Sequence, residues 1–339
     1  MDGLRLTKYQ ALGNDFLILL LTDSEKAALD ARHLDWHVLA SRVCHRQADI
    51  GALGGADGLI LGIDPAWSEP NWSESAVNEA SCPDGTASVR MVLYNSDGSR
   101  AGMSGNGSAC LAYAIASAQD PWSQRISDLQ EAYLTVKITT DSGLRTVRWR
   151  SPYVETDDGE HVSIEPHIDV IMQPVEAGPN ICSELHELIT ETFGDSPRGT
   201  GDVGNPHLVI ATDREVEAEE TKSLGASYEQ HFPAGINVEF VWPIGGDSGA
   251  KSGPPPGLGM AVWERGAGVT DACGTGAVVA ATLAREWGLV RPDIWTSVLM
   301  HGGSATVAQI GPDGAPQLQI WAEHVGDTEW PLLGPWLDA

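Results

Sequence analysis

The hydrophobic pattern of the chain consists mostly of short strand-like runs, interrupted by a few segments with helical spacing. Near the N-terminus, two apolar runs flank a polar turn at residues 13–15, which predicts a strand, a tight turn and a second strand. Residues 28–45 have the apolar spacing of a helix, whereas LILGI (59–63) and SVRMVLYN (88–95) predict further strands. This mixture predicts an α+β fold with many mostly antiparallel strands.

The second half of the chain shows the same mixture. A new set of strand-like segments begins at HIDVIMQPV and includes HLVIATD and INVEFVWPI, while CSELHELITETF has helical spacing. Stretches rich in Gly, Pro, Ser and Asn at residues 64–86 and 243–257 predict exposed insertions. The repetition of one mixture in both halves favours two domains.

Two segments of the chain resemble each other: NSDGSRAGMSGNGSACLAYAIASA and ERGAGVTDACGTGAVVAATLAREW. In the first, Asn95 precedes Ser104 by nine positions, and in the second, Glu264 precedes Cys273 by nine positions. A Gly-x-Gly sequence and a helix of small residues follow in both. This internal similarity predicts two similar domains, with one helix N-terminus from each domain facing a shared cleft. The alternative is that both Gly-x-Gly elements are only turns that lead into buried helices.

Such helix N-termini have chemical consequences. Their unpaired N–H groups suit a carboxylate, and they stabilise the negative charge that develops when a proton leaves the adjacent carbon. A cysteine at this position is expected to have a lowered pKa and to act as a base near neutral pH. Two such groups on opposite faces of one carbon would remove and return a proton. This predicts a two-base racemase or epimerase that needs neither a metal nor pyridoxal phosphate.

The acidic composition of the chain disfavours some classes of binding partner. The 339-residue chain has a formal net charge of −27, so it would repel nucleic-acid backbones and anionic lipid surfaces. The N-terminal sequence lacks a visible signal peptide, and the run FLILLL is too short to span a bilayer. We therefore expect a cytoplasmic protein that acts on a small molecule, without nucleic-acid or membrane partners.

The five cysteines provide a further constraint. They are odd in number and widely spaced, and no CxxC or His-x₃-His pattern accompanies them. Neither a disulfide framework nor a zinc site is therefore expected. The cysteines are Cys44, Cys82, Cys110, Cys182 and Cys273.

Eight motifs together resemble the diaminopimelate epimerase family. They occur in the order GNDF (13–16), GGADGLI (54–60), NSDGS (95–99), SGNG (104–107), GNPH (204–207), INVEF (236–240), ERGAG (264–268) and ACGTG (272–276). The resemblance implies two pseudo-symmetric domains, each a curled, mostly antiparallel sheet around a central helix. It also implies a homodimer without a cofactor. The domains would be residues 1–163 joined by a C-terminal strand at about 325–339, and residues 164–324.

The resemblance also implies a function and a set of site residues. The family interconverts LL- and meso-diaminopimelate, and Cys273 and Ser104 occupy the positions of its two catalytic residues. N–H groups of the two helix N-termini would bind the reacting carboxylate, and polar side chains would hold the ammonium and carboxylate of the distal centre. The N–H groups belong to Gly105, Asn106, Gly274 and Thr275, and the distal set is Asn14, Asn95, Asn205, Asn237, Glu264 and Arg265. His207 is expected to have a structural or supporting role.

This chain departs from the family pattern at three positions. Ser104 replaces the first catalytic cysteine, Ala109 stands where arginine is common, and Val269 stands where glutamate is usual. A serine hydroxyl is a far weaker acid than a thiol, so Ser104 would need a helper base or would act only as a proton donor or relay. Cys110 lies about 240° further around the helix and is expected to be a buried packing residue.

Three functions remain open at this point. The first is an epimerase that uses Cys273 on one face and Ser104 on the other. The second is a lyase or dehydratase on a related amino acid, since elimination needs only one base and a leaving group. The third is a non-catalytic paralogue that binds an amino acid. The complete distal set favours the epimerase.

Overall fold

The computed structural model describes residues 3–47, 53–63, 86–118, 133–150, 153–155, 161–163, 167–245, 257–291, 295–309 and 315–331. Almost all of the predicted insertion at 64–86, and residues 246–256 of the one at 243–257, lie outside these ranges. Within the described ranges, no helix is long and apolar enough to cross a membrane.

The chain divides into two compact units. The first consists of residues 1–170 and 321–339, and the second of residues 171–320. The division falls after residue 170, where the sequence had placed it after residue 163. Each unit is described separately below.

The first unit contains strands and three helices in its described part. Its strands are β1 (Gly3–Ala11), β2 (Asn14–Leu21), β3 (Gly58–Ile63), β4 (Thr86–Asn95), β5 (Arg100–Ala101), β6 (Tyr133–Thr140), β7 (Gly143–Arg150), β8 (Tyr153–Glu155), β9 (His161–Ser163) and most of β10 (His167–Ile171). Its helices are α1 (Asp23–Ala31), α2 (Trp36–Val43) and α3 (Gly105–Ala118).

The second unit repeats this composition. Its strands are β11 (Glu176–Ala177), β12 (Arg198–Asp202), β13 (Pro206–Ala211), β14 (Asn237–Ile244), β15 (Gly257–Glu264), β16 (Gly268–Thr270), β17 (Thr296–Met300) and β18 (Gly303–Gln309). Its helices are α4 (Ser183–Phe193), α5 (Ala218–Glu229) and α6 (Gly274–Glu286). The last strand, β19 (Pro316–Pro331), pairs with β18 through its first residues and with β1 through its last ones.

Both units have the same strand connections. In the first, β2 is parallel to β3, β3 is antiparallel to β4, β4 is parallel to β6, and β6 is antiparallel to β7. In the second, the same sequence of pairings runs through β13, β14, β15, β17 and β18. Each parallel pair needs a crossover, and α3 and α6 provide the second crossover of their units. The predicted α+β fold is confirmed.

The two crossover helices lie in the core of their units. Every residue of α6 from Gly274 to Arg285 is buried, and α3 is buried almost throughout. α3 contacts strands β1, β2 and β7, while α6 contacts strands from β12 to β18. A helix enclosed on all sides must lack a polar face, which explains the small apolar residues of both segments.

One predicted helix is wrong in its extent. The segment 28–45 is not a single helix, because α1 ends at Ala31 and α2 begins at Trp36. His33 between them has a φ of 60°, which is incompatible with a continuous right-handed helix. Asp35 then caps α2 by accepting hydrogen bonds from two backbone N–H groups of its first turn.

Candidate functional site

In the first unit, Ser104 lies at the start of α3. Its carbonyl accepts a hydrogen bond from the Ser108 N–H at 2.9 Å, and its Oγ accepts one from the Gly107 N–H at 3.0 Å. Ser104 is therefore the N-cap of the helix, a position that serine favours. The hydroxyl retains its own proton for donation. Among the residues that the structure describes, no carboxylate or imidazole is hydrogen-bonded to this hydroxyl.

Two of the predicted substrate-binding side chains touch each other beside this helix start. Asn106 Nδ2 donates to Asn14 Oδ1 at 2.6 Å, and Asn14 Nδ2 donates to Asp57 Oδ2 at 3.4 Å. Asn106 is buried, and its Oδ1 has no hydrogen-bond partner. A buried acceptor of this kind requires a donor to offset the loss of water. The contact therefore leaves one amide oxygen for a ligand.

A partly buried ionic network supports Asn14. Asp15 binds Lys8 and Arg46, each at 2.7 Å, and Arg46 also binds Asp57. Burial opposes ionisation of Asp15, but hydrogen bonds from Arg46 and Lys8 outweigh it and lower the pKa of that carboxyl. Burial raises the pKa of Asp57. The sequence analysis quoted both aspartates within motifs but missed their supporting role.

Asn95 and Gly105 complete the predicted residues of this unit. Asn95 is the exposed last residue of β4, and its Nδ2 donates to Ser99 Oγ in the turn that follows, at 2.9 Å. Gly105 is the buried first residue of α3. In the described residues, Asn95 is hydrogen-bonded within its own turn and not to the Asn14–Asn106 pair.

In the second unit, Cys273 repeats the geometry of Ser104. It is the N-cap of α6, and its Sγ accepts a hydrogen bond from the Gly276 N–H at 3.4 Å. The Thr275 hydroxyl lies 3.3 Å from the same sulfur. Cys273 is only 5% exposed. The two similar sequence segments therefore form the same helix cap, in which the N-cap side chain accepts a hydrogen bond from the N–H three residues later.

The expected low pKa of Cys273 is wrong in the structure. Burial raises the pKa of the thiol well above its usual value, and the charges of Glu264 and Glu239 raise it further. Hydrogen bonds from Thr275 and Gly276 act in the opposite direction and do not compensate. The sequence predicted the helix N-terminus. It did not show that the Cys273 thiol is buried or that the Glu239 carboxylate lies near it. The surroundings of Cys273 therefore favour the neutral thiol over the thiolate.

Glu264 and Arg265 lie at the end of β15. The Thr270 hydroxyl donates to Glu264 Oε1 at 2.6 Å, while burial raises the pKa of the Glu264 carboxyl. Arg265 is exposed, and its Nη1 donates to the Ala234 carbonyl at 2.9 Å. Its side chain packs against Gly235, where a Cβ would lie 2.3 Å from Arg265 Cδ. Gly235 also has a φ of 71°, a conformation that glycine adopts without steric strain.

The two remaining asparagines each contact a predicted site residue. Asn237 Oδ1 accepts a hydrogen bond from the Arg265 N–H at 2.9 Å, and Asn205 Nδ2 donates to Thr275 Oγ1 at 3.2 Å. Because Thr275 contacts the Cys273 sulfur, Asn205 is linked to the thiol through one hydroxyl. Asn205 and Thr275 therefore lie beside Cys273, whereas Asn237 contacts the Arg265 backbone at the end of β15.

A buried histidine–glutamate pair was missed as a unit by the sequence analysis. His207 Nδ1 lies 2.6 Å from Glu239 Oε1, and both side chains are fully buried. Glu239 also lies against α6, since a Cβ on Gly276 would be 2.6 Å from Glu239 Oε1. The signal was present in GNPH and INVEF, but no local pattern links residues of two different strands.

The two further departures from the family pattern, Ala109 and Val269, have different surroundings. Ala109 is fully buried in α3, and Val269 is 41% exposed in β16. Cys110 is fully buried, as predicted, and burial raises the pKa of its thiol. Cys110 lies within α3, whereas Ser104 and Cys273 lie at helix starts, so its position does not suit it to replace a thiol at residue 104.

Comparisons with known proteins identify diaminopimelate epimerases as relatives of this chain. Residues 200–315 match the family model described as Diaminopimelate epimerase. The chain is 32% identical to diaminopimelate epimerase of Acaryochloris marina over 324 residues, which is 93% of this chain and 90% of that protein. It is 30% identical to the enzyme of the same name from Geobacillus kaustophilus, with 96% of each chain covered.

Solved structures share the fold at lower identity. A hydroxyproline epimerase from Agrobacterium vitis matches with a TM-score of 0.55 and 14% identity, covering 98% of this chain and 94% of that one. A PhzF-family phenazine biosynthesis protein from Bacillus anthracis matches with a TM-score of 0.55 and 15% identity, covering 97% and 99%. At these identities the likeness supports the fold alone.

Proposed function

This chain belongs to the diaminopimelate epimerase family, and we propose that it interconverts LL- and meso-diaminopimelate by removing and returning the proton of one α-carbon. The predicted family and the predicted enzyme class, an isomerase of amino-acid biosynthesis, are confirmed. The observation that carries the proposal is the position of Cys273. Its thiol caps a buried helix and lies beside the Gly276 N–H and the Thr275 hydroxyl.

At the reacting centre, we assign proton transfer on one face to Cys273 and on the other face to Ser104. The N–H groups at the starts of α3 and α6 would hold the reacting carboxylate and stabilise the charge that spreads into it. These N–H groups belong to Gly105, Asn106, Gly274 and Thr275. Because its surroundings favour the neutral thiol, Cys273 is ready to donate a proton. The ammonium of a bound substrate would offset the carboxylate charge that opposes its ionisation.

At the distal centre, polar side chains would bind the ammonium and carboxylate that do not react. Glu264 would pair with the ammonium and Arg265 with the carboxylate, while asparagine amides would supply further donors and acceptors. Fixing the far end places the near carbon against the proton-transfer groups. The asparagines assigned to this task are Asn14, Asn95, Asn205 and Asn237.

The direct test is incubation of the purified protein with LL-diaminopimelate in D₂O. Proton NMR would follow loss of the α-proton, and chiral chromatography would follow the meso product. Meso product with deuterium at the α-carbon supports the proposal. Loss of a β-substituent from a related amino acid, without inversion, would instead identify a lyase. Binding without exchange would identify a non-catalytic paralogue.

Replacement of Arg265 by lysine is expected to raise KM for diaminopimelate about 10–100-fold, the loss of one charge-assisted interaction of about 1.5–3 kcal/mol. Lysine keeps the charge but cannot bind a carboxylate through two parallel N–H groups. Steady-state kinetics would measure KM and kcat separately. The matched control is Arg214→Lys, since Arg214 binds Glu220 on the surface. An unchanged KM in Arg265→Lys would remove this residue from the site.

We also propose, from the family resemblance, that the protein works as a homodimer in the cytoplasm. Sedimentation equilibrium would report the mass in solution. A mass equal to one chain over the concentrations used in the activity assay would contradict the dimer.

A further inference from the structure

Three side chains of the second unit converge at the Cys273 thiol, and each is of a type that binds metal ions. His207, Glu239 and Cys273 each offer one ligand atom, and these atoms all lie within 4.8 Å of one another. Their side chains come from β13, β14 and the start of α6. His207 and Glu239 are fully buried, and Cys273 is 5% exposed. We refer to these three residues as the thiol cluster.

The thiol cluster has unused bonding capacity. His207 Nε2 and Glu239 Oε2 are buried and have no hydrogen-bond partner. Most buried polar atoms in proteins are paired, and an exception commonly marks a catalytic role, a water or an ion. These two unpaired atoms are therefore available to a ligand within the cluster.

We propose that the thiol cluster binds a thiophilic divalent cation such as Zn²⁺ and that the bound ion inhibits the enzyme. Cysteine sulfur, histidine nitrogen and glutamate oxygen are the ligands of zinc, whereas Mg²⁺ and Ca²⁺ require oxygen ligands. A tetrahedral site with bonds of about 2.0–2.3 Å separates its ligand atoms by roughly 3.3–3.8 Å. Atoms already within 4.8 Å therefore need only short movements.

Proton release accompanies binding. As the bond between sulfur and the metal forms, the Cys273 S–H bond breaks and its proton passes to solvent. Coordination of both groups replaces the hydrogen bond between His207 Nδ1 and Glu239 Oε1, and the proton of that bond moves to His207 Nε2, which has no hydrogen-bond partner. No redox step is involved. The proposed inhibition rests on the proposed function, because a metal-bound sulfur cannot accept or donate the α-proton. The proposed metal binding does not rest on that function.

Titration of the metal-free protein with Co²⁺ tests the binding directly. A thiolate–cobalt bond gives a charge-transfer absorption band, and we expect that band to saturate at one equivalent and to be displaced by Zn²⁺. Cys273→Ser is expected to abolish the band. Cys182→Ser is the matched control, because Cys182 Sγ lies 3.8 Å from His231 Nδ1 in an exposed thiol–imidazole pair. A band lost in Cys182→Ser and kept in Cys273→Ser would overturn the proposal.

The other two ligands have their own test. Glu239→Gln and His207→Gln are expected to weaken Co²⁺ binding at least about 10–100-fold, the loss caused even by outer partners of metal ligands. Since both residues are buried, a second measurement uses the unmodified protein. Zn²⁺ should protect Cys273, but not Cys182, from alkylation by iodoacetamide, as read by peptide mass spectrometry. At a reagent exposure that alkylates Cys273 in the metal-free protein, equal alkylation with Zn²⁺ present would refute the site.

The inference and the proposed function can fail separately. Epimerase activity of the metal-free protein, without a cobalt band, would refute the metal site and leave the function standing. A cobalt band that depends on Cys273, in a protein without epimerase activity, would do the reverse. Activity that falls in step with Zn²⁺ occupancy of Cys273 would support both.

Discussion

Replacement of Cys273 by serine is expected to lower kcat for epimerisation by about 10²–10⁴-fold, the usual contribution of a positioned acid or base. Serine should preserve the local fold, because a hydroxyl can accept the Gly276 N–H as the sulfur now does at 3.4 Å. Ser104 already makes the corresponding bond at 3.0 Å. The substitution removes a thiol with an ordinary pKa of about 8.5 and leaves a hydroxyl that does not ionise in this range. The loss therefore reports chemistry rather than folding.

The measurement is kcat for LL-diaminopimelate, together with α-proton exchange in D₂O. Cys182→Ser removes an exposed thiol from the same unit and should leave both rates unchanged. Thermal unfolding of the two variants would show whether α6 keeps its cap. A Cys273→Ser variant with wild-type kcat would exclude Cys273 from proton transfer.

Replacement of Ser104 by cysteine is expected to raise kcat, by up to about 10²–10⁴-fold if proton transfer on this face limits the rate. The wild-type hydroxyl accepts the Gly107 N–H at 3.0 Å, and no described carboxylate or imidazole is hydrogen-bonded to it. It therefore lacks a helper base among the residues that the structure describes. A thiol in the same cap is a much stronger acid than a hydroxyl, since its ordinary pKa is about 8.5, and it should therefore exchange a proton with the α-carbon more readily.

Rates measured from each stereoisomer would test this assignment. In Ser104→Cys, the rate constant should rise most for the proton transfer on the Ser104 face. The rate of inversion should therefore approach the rate of α-proton exchange. Ser104→Ala should slow inversion while exchange on the Cys273 face continues. Ser41→Cys, which adds a thiol on α2 of the same unit, controls for non-specific effects. If Ser104→Cys and Ser104→Ala both matched the wild type, Ser104 would lie outside the proton path.

Local features of the sequence were sufficient to predict several helix starts and strands of this protein. Gly-x-Gly after Ser104 and after Cys273 predicted two helix starts, and the structure has a cap at each. Caps and strand alternation depend on residues only a few positions apart, so they can be read without a fold. The same locality led to an error at residues 28–45, where one φ of 60° at His33 divides the predicted helix.

The tertiary structure alone decided how the Cys273 thiol is surrounded. β13 runs parallel to β14 with His207 opposite Asn237, so His207 and Glu239 lie on one face of the sheet, two residues apart in register. α6 covers that face and brings Cys273 to the pair. These contacts join three distant parts of the chain, and no spacing in the sequence encodes them. Burial followed from the same packing, which is why the pKa of Cys273 is raised although its helix position predicted the opposite.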